Sequence, residues 1–186
     1  MERTAFVLAG GQSRRMGLDK AGLPWGNRTL LDHMIGLLGS VATTVDVVGG
    51  NSLPDLHPGR GPVEGIRTAL EATATEENLI VAVDLPFLES GLLDYLMDRL
   101  HRTGAMLLAC EIEGRVPMCL GVRKALLPAV EDYLAQGKRS VEGLANSVAH
   151  EHVTERDLTA LGVTTEGFRN LNTREDYEKA RQETFG

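Results

Sequence analysis

Four charged residues near glycines or strand ends carry the chemistry in this chain of 186 residues. Arg14, Arg15 and Lys20 lie in a stretch that also holds Gly10, Gly11 and Gly17, and Asp84 directly follows the apolar run Leu79–Val83. Cations beside glycines suit phosphate oxygens, because a residue without Cβ lets backbone N–H groups come close to a ligand. A carboxylate at the end of a buried strand suits a divalent cation that such phosphates would share. Two well-known phosphate loops are excluded by spacing. A P-loop has Lys directly after its second glycine, followed by Ser or Thr; here Leu18 and Asp19 separate Gly17 from Lys20, and Ala21 follows. The dinucleotide fingerprint G-x-G-x-x-G fails because Gly10 and Gly11 are adjacent.

The elements that must position these groups follow from hydrophobic periodicity. Residues 3–9 read as a buried strand that runs into a loop reaching Asn27. The single Trp25 is expected to pack that loop onto the body. A helix begins at Thr29 with Asp32 in capping-box spacing, shows Leu30, Leu31, Met34, Ile35, Leu37 and Leu38 on one side, and ends at Gly39. Val45–Val48 is the next strand, which makes a parallel βαβ unit. Gly61-Pro62 opens a helix with Val63, Ile66 and Leu70 as its buried stripe. Leu79–Val83 reads as a central strand covered on both faces. Gly10 and Asp84 then face one crevice if their strands are neighbours, since ligands in open α/β sheets lie beyond the strands' carboxyl ends.

Ser90 is expected to cap a helix bearing Leu92, Leu93, Leu96, Met97 and Leu100. Residues 105–110 and 115–122 form two strands around a tight Glu113-Gly114 turn, which makes the sheet mixed. Leu126, Leu127, Val130 and Leu134 form a helical stripe, Ser140-Val141 lies in the start of a short helix, and His150–Val153 is a late strand. Thr173 and Asp176 have the spacing to cap a final helix. The expected fold is α/β: three layers, α/β/α, around a mostly parallel mixed central sheet, as a single domain over residues 1–186. His150 and His152 share a strand face and could bind metal, but no Cys or third His lies nearby in sequence, so zinc is not expected.

Composition narrows the partners. A net charge of −7 argues against nucleic acid, which needs a broad basic surface. Arg14, Arg15, Lys20 and Arg28 nevertheless form a basic island opposed by Asp19 alone. The two cysteines, Cys110 and Cys119, sit in apolar runs and read as reduced thiols in a cytoplasmic protein. The apolar run after Met1-Glu-Arg-Thr is too short for a secretion signal, and no stretch approaches a membrane span, so no membrane partner is expected.

The stretch Leu8-Ala-Gly-Gly-Gln-Ser-Arg-Arg-Met-Gly17 resembles the signature loop of nucleotidyltransferases, and in particular of molybdenum cofactor guanylyltransferases. The resemblance implies a Rossmann-like nucleotide-diphospho-sugar transferase fold. It implies Mg²⁺-dependent transfer of GMP from GTP to molybdenum-bound molybdopterin, with release of pyrophosphate. Molybdenum-cofactor handover proteins and apo-molybdoenzymes are the implied partners. Arg14, Lys20 and Asp84 are the implied catalytic groups, with Asp84 as metal ligand. Leu8, Ala9, Gly10, Gly11, Lys20, Asn51, Asp55 and Asp84 are the implied nucleotide contacts.

On the acceptor side, Lys138 and Arg139 resemble a Gly-x-Arg-Arg-Val element, with Ser140 in place of one arginine. Asn170 and Asn172 match an Asn-x-Asn-Thr-Pro element, with Arg174 in place of proline. Asn172 either helps to hold metal and phosphates or caps the helix. The chain departs from the family pattern at Gly49, where asparagine is usual, at Glu64 in the Gly61–Gly65 motif, and at Val116, where a polar residue is usual. CTP-dependent or sugar- or polyol-phosphate nucleotidyl transfer is the nearest alternative. A non-catalytic nucleotide-binding regulator is an alternative of another class.

Overall fold

The computed structural model describes residues 2–10, 19–50, 53–54 and 60–186. Six strands form one sheet in the order β4-β1-β5-β7-β6-β8. They are β1 (Thr4–Leu8), β4 (Thr44–Val48), β5 (Glu77–Ala82), β6 (Leu107–Glu111), β7 (Cys119–Arg123) and β8 (His150–Thr154). A two-stranded hairpin, β2 (Pro24–Trp25) with β3 (Arg28–Thr29), stands apart from it. β1 pairs in parallel with both β4 and β5, and β6 with β8. Only β7 runs against its neighbours β5 and β6, so the sheet is mostly parallel and mixed as expected.

Alternation along the strands sorts the core into two layers. Ala5, Val7, Leu79, Val81, Leu108, Cys110 and Cys119 face one side. There they meet α1 (Leu30–Leu38), α3 (Ser90–Thr103), α6 (Glu155–Ala160) and α7 (Arg174–Phe185). Phe6, Ile80, Leu107, Ala109, Leu120 and Val122 face the other side, covered by α2 (Pro62–Ala72), α4 (Leu127–Ala135) and α5 (Val141–Ala145). Successive strand side chains point to opposite faces, so a strand apolar on both must be sandwiched. Burying each of the larger of these side chains is worth roughly 1.5–3 kcal/mol.

The local signals hold with adjustments at the ends of elements, and the stretch read as loop to Asn27 contains β2. Thr29 and Thr173 both close capping boxes, with Asp32 and Asp176. The α3 cap is Glu89, without a side-chain cap bond, and Ser90 is the first helical residue. Residues 116–118 precede β7, which begins only at Cys119. Glu113 and Gly114 both take positive φ, and Ile112 and Arg115 exchange backbone bonds at 2.9 Å, so the hairpin turn is the tight one read from Glu-Gly. Among the described residues no helix is long and apolar enough to cross a membrane.

Candidate active site

The carboxyl ends of β1, β4 and β5 meet at one rim of the sheet. Ala9 and Gly10 both donate their N–H to the Val48 carbonyl, at 2.9 and 3.2 Å, and Val83 N–H donates to the Leu8 carbonyl at 3.1 Å. The carbonyl oxygens of Ala9 and Gly10 are left without a partner among the described residues. Gly49 has a local reason to be glycine. Its φ is +86°, and a Cβ there would stand 2.3 Å from both the N and Cα of Gly10. Any side chain would push the first strand's end aside.

Asp84 stands at this rim, one strand over from Gly10. Its Oδ2 accepts a bond from Lys20 Nζ at 2.8 Å, and both side chains are largely buried, at 17% and 15% exposure. Its Oδ1 is buried with no hydrogen-bond partner among the described residues. A buried carboxylate oxygen left bare costs free energy unless something positive completes it. This oxygen, on a largely buried carboxylate beside a cation, fits a divalent metal.

Lys20 is brought there by a short, tied segment. Leu23 N–H closes a turn onto the Lys20 carbonyl at 3.2 Å, Leu31 N–H bonds the Ala21 carbonyl at 3.1 Å, and Leu30 N–H bonds that of Leu23 at 2.8 Å. The hairpin that follows is pinned by Trp25, 3% exposed, whose ring meets Phe87 edge-on at 5.6 Å and Phe185 at 5.3 Å. Tyr177 Oη donates to the Pro24 carbonyl at 2.5 Å. Trp25 therefore anchors the loop, as its sequence position suggested.

The late Asn-x-Asn segment is tied to the same point, because Leu171 N–H donates to the Asp84 main-chain carbonyl at 3.0 Å. Asn170 and Asn172 flank this tether and are exposed. The side-chain cap of α7 is Thr173, so Asn172 is not spent on capping. Asp176 accepts from the N–H groups of Asn172 and Thr173 at 3.1 and 2.8 Å. The hydrogen bonds from Thr173 hold its carboxyl below the usual range, with Lys20 adding a smaller pull in the same direction.

The other segment expected on the acceptor side, Lys138-Arg139, lies near the start of α2. Gly61, at φ +95°, starts α2 in a conformation only glycine takes easily, and the Cβ of Arg139 is 3.9 Å from where a Gly61 Cβ would be. The Arg139 guanidinium donates to the carbonyls of Leu134 and Lys138 at 2.9 and 2.6 Å, closing the end of α4. Lys138 is exposed, with its ammonium 5.5 Å from the Tyr133 ring. Glu64 is buried in the first turn of α2 and paired with Arg67. Val116 is half-buried near the start of β7, and Ala82 N–H bonds the Met118 carbonyl at 2.9 Å. Gly11, Arg14, Arg15, Asn51 and Asp55 lie outside the described residues.

Supports that sequence reading missed are His33, Leu171 and the aromatic end of α7. His33 Nε2 bonds the Pro86 carbonyl at 2.8 Å, and its Nδ1 receives Arg28 at 2.9 Å. With Arg28 donating, the ring is neutral and carries its hydrogen on Nε2. Burial lowers its pKa, outweighing the opposing bond to Pro86. Tyr177, Ala180 and Phe185, the apolar residues of a largely polar helix, were the available signal for α7's docking.

Comparison with known proteins gives the family and the fold. Residues 5–153 match the MobA-like NTP transferase domain. The molybdenum cofactor guanylyltransferase of Xanthomonas euvesicatoria is 36% identical over 95% of this chain and 93% of its own length. That of Desulfosudis oleivorans is 29% identical over the same shares. The crystal structure of molybdopterin-guanine dinucleotide biosynthesis protein A from Archaeoglobus fulgidus superposes with a TM-score of 0.83 at 22% identity, covering 97% of this chain and 98% of that one. A 2-C-methyl-D-erythritol 4-phosphate cytidylyltransferase from Thermus thermophilus shares the fold, with a TM-score of 0.71 at 18% identity, covering 96% and 97%. The chain belongs to the MobA-like NTP transferase family, a family of nucleotidyltransferases.

Proposed function

We propose that this chain transfers GMP from GTP to molybdenum-bound molybdopterin and releases pyrophosphate. The observation that carries the reading is the Lys20–Asp84 pair, 2.8 Å apart at the joined ends of β1 and β5, with Asp84 Oδ1 bare. The similarity to molybdenum cofactor guanylyltransferases over nearly the whole chain supports the choice of substrates.

In the reaction, a phosphate oxygen of the pterin forms a bond to the α-phosphorus of GTP. The bond from that phosphorus to the bridging oxygen breaks, and pyrophosphate leaves with the electron pair. Such a transfer asks for positioning and charge neutralisation more than for covalent chemistry. Asp84 would hold a divalent ion, Mg²⁺ in this reading, which takes one or two carboxylates together with phosphate oxygens. When bound, that ion supplies positive charge shared by the carboxylate and the phosphates.

Lys20 has a double task. Without nucleotide its ammonium neutralises Asp84; a triphosphate offers stronger anionic partners and draws it onto the leaving pyrophosphate. Arg14 is assigned the same phosphates from sequence alone. The free carbonyls of Ala9 and Gly10 would accept from N1–H and the exocyclic amine of guanine, a donor pair that cytosine does not present. Asn172, released from capping, is assigned to the metal–phosphate side, and Asn170 beside it to the pterin. Lys138 is the exposed cation for the pterin phosphate, while Arg139 must first turn from its two carbonyls. Delivery of the product to apo-molybdoenzymes through a handover protein, in the cytoplasm, completes the proposal.

The test is incubation of the purified chain with Mg²⁺, molybdenum-loaded molybdopterin and either GTP or CTP, with products weighed by mass spectrometry. The guanine dinucleotide from GTP is the expected product. A cytosine dinucleotide, or no dinucleotide at all, contradicts the proposal.

A further inference from the structure

At the far edge of the sheet, β8 places His150 and His152 on one face, with ring centroids 4.8 Å apart. Each ring has its Nδ1 against a group that can only accept. For His150 this is the Val148 carbonyl at 2.9 Å; for His152 it is Glu111 Oε2 at 2.8 Å. An acceptor at Nδ1 fixes the hydrogen there and leaves the lone pair of the neutral ring on Nε2. Both imidazoles are thus set in the same tautomer. The Nε2 of His152 is buried and has no hydrogen-bond partner among the described residues. A buried acceptor without a donor is uncommon and calls for an explanation.

The spacing supplies one. Two imidazoles on one tetrahedral ion, with metal–nitrogen bonds of about 2.0–2.1 Å, have ring centroids roughly 5 Å apart. A carboxylate on the far nitrogen of one ring and a backbone carbonyl on that of the other are the usual outer supports of metal-binding histidines. Glu151, between the two, points to the opposite face, where Arg99 holds it at 3.1 Å, so the guanidinium does not oppose a cation beside the rings. Imidazole nitrogens select borderline ions over Mg²⁺ or Ca²⁺.

We infer that His150 and His152 form a binding site for a divalent transition-metal ion of the Zn²⁺ or Ni²⁺ class, with Glu111 and the Val148 carbonyl orienting the two rings. Among the described residues no group of three or more His, Cys, Asp or Glu could complete the set, so water fills the remaining positions. The site lies on β8, separated from β5 and Asp84 by two strands, and does not depend on the function proposed above.

The test is calorimetric titration of the untagged protein with Zn²⁺ and with Ni²⁺, in the absence of nucleotide. One equivalent is expected to bind at this site in wild type and to remain in Asp84→Asn. Affinity is expected to fall tenfold or more in His150→Ala and in His152→Ala. Glu111→Gln, an exposed change that leaves both rings in place, is expected to weaken binding about tenfold. Absence of a saturable equivalent in Asp84→Asn, or binding of undiminished affinity in the triple variant Asp84→Asn/His150→Ala/His152→Ala, overturns the inference.

Discussion

Asp84 is fixed from three directions: Lys20 on its carboxylate, Leu171 on its carbonyl, and His33 on the carbonyl of Pro86 two residues later. If Lys20 occupies the place of a metal until nucleotide arrives, removing the ammonium should expose Asp84 to free ions. Lys20→Met is expected to raise nucleotide-free Mn²⁺ affinity about tenfold, read by electron paramagnetic resonance, because a charged hydrogen bond of this kind is worth on the order of 1.5–3 kcal/mol. The same variant is expected to lose GTP-dependent turnover. An unchanged Mn²⁺ affinity contradicts the exchange. His33 sets a pH dependence. Its folded pKa is lowered by burial, so the unfolded chain binds the proton more readily. The stability it contributes is complete above the unfolded value near 6.5 and is lost as pH falls through the lower folded value. Urea midpoints of wild type are expected to drop more steeply between pH 7.5 and pH 5 than those of His33→Gln.

Among the elements, the joint between β1 and β4 is the most demanding. Gly49→Ala adds a Cβ 2.3 Å from Gly10 at a positive φ, so a loss of about 2 kcal/mol or more is expected in chemical denaturation. GTP binding should weaken with it, since Gly10 must move. Thr29→Ala, which removes the α1 cap, should cost only about 1 kcal/mol. The contrast shows what sequence made legible. The caps at Thr29 and Thr173, the apolar stripes and the Glu113-Gly114 turn depend on neighbours a few residues away, and they were readable. The need for glycine at 49 depends on Gly10, nearly forty residues earlier, and read alone it was only a departure from a family pattern. The same holds for the Leu171–Asp84 tether, a backbone bond whose donor bears no special side chain. The insertion of β7 between β5 and β6 was not given by the hairpin turn, which specifies one pairing and not the other.

For the molecule as a whole, two apolar layers hold a sheet whose rim at the carboxyl ends of β1, β4 and β5 also receives the segment after α6. Both thiols are enclosed in that core. Burial pushes Cys110 up to about 12 and Cys119 well above the usual thiol range. Neither is expected to react with iodoacetamide at pH 8 in the folded protein, and both should react in denaturant, as counted by mass spectrometry. Asp84, completed by an ion and relieved of Lys20, is proposed to make this rim a guanylyl-transfer site. The most direct measurement is the rate of pyrophosphate release with GTP, Mg²⁺ and molybdenum-loaded molybdopterin, for wild type and for Asp84→Asn. The expected result is steady release by wild type and a rate lower by about three orders of magnitude or more in the variant, with its fold intact by circular dichroism. Release by Asp84→Asn at the wild-type rate would contradict it.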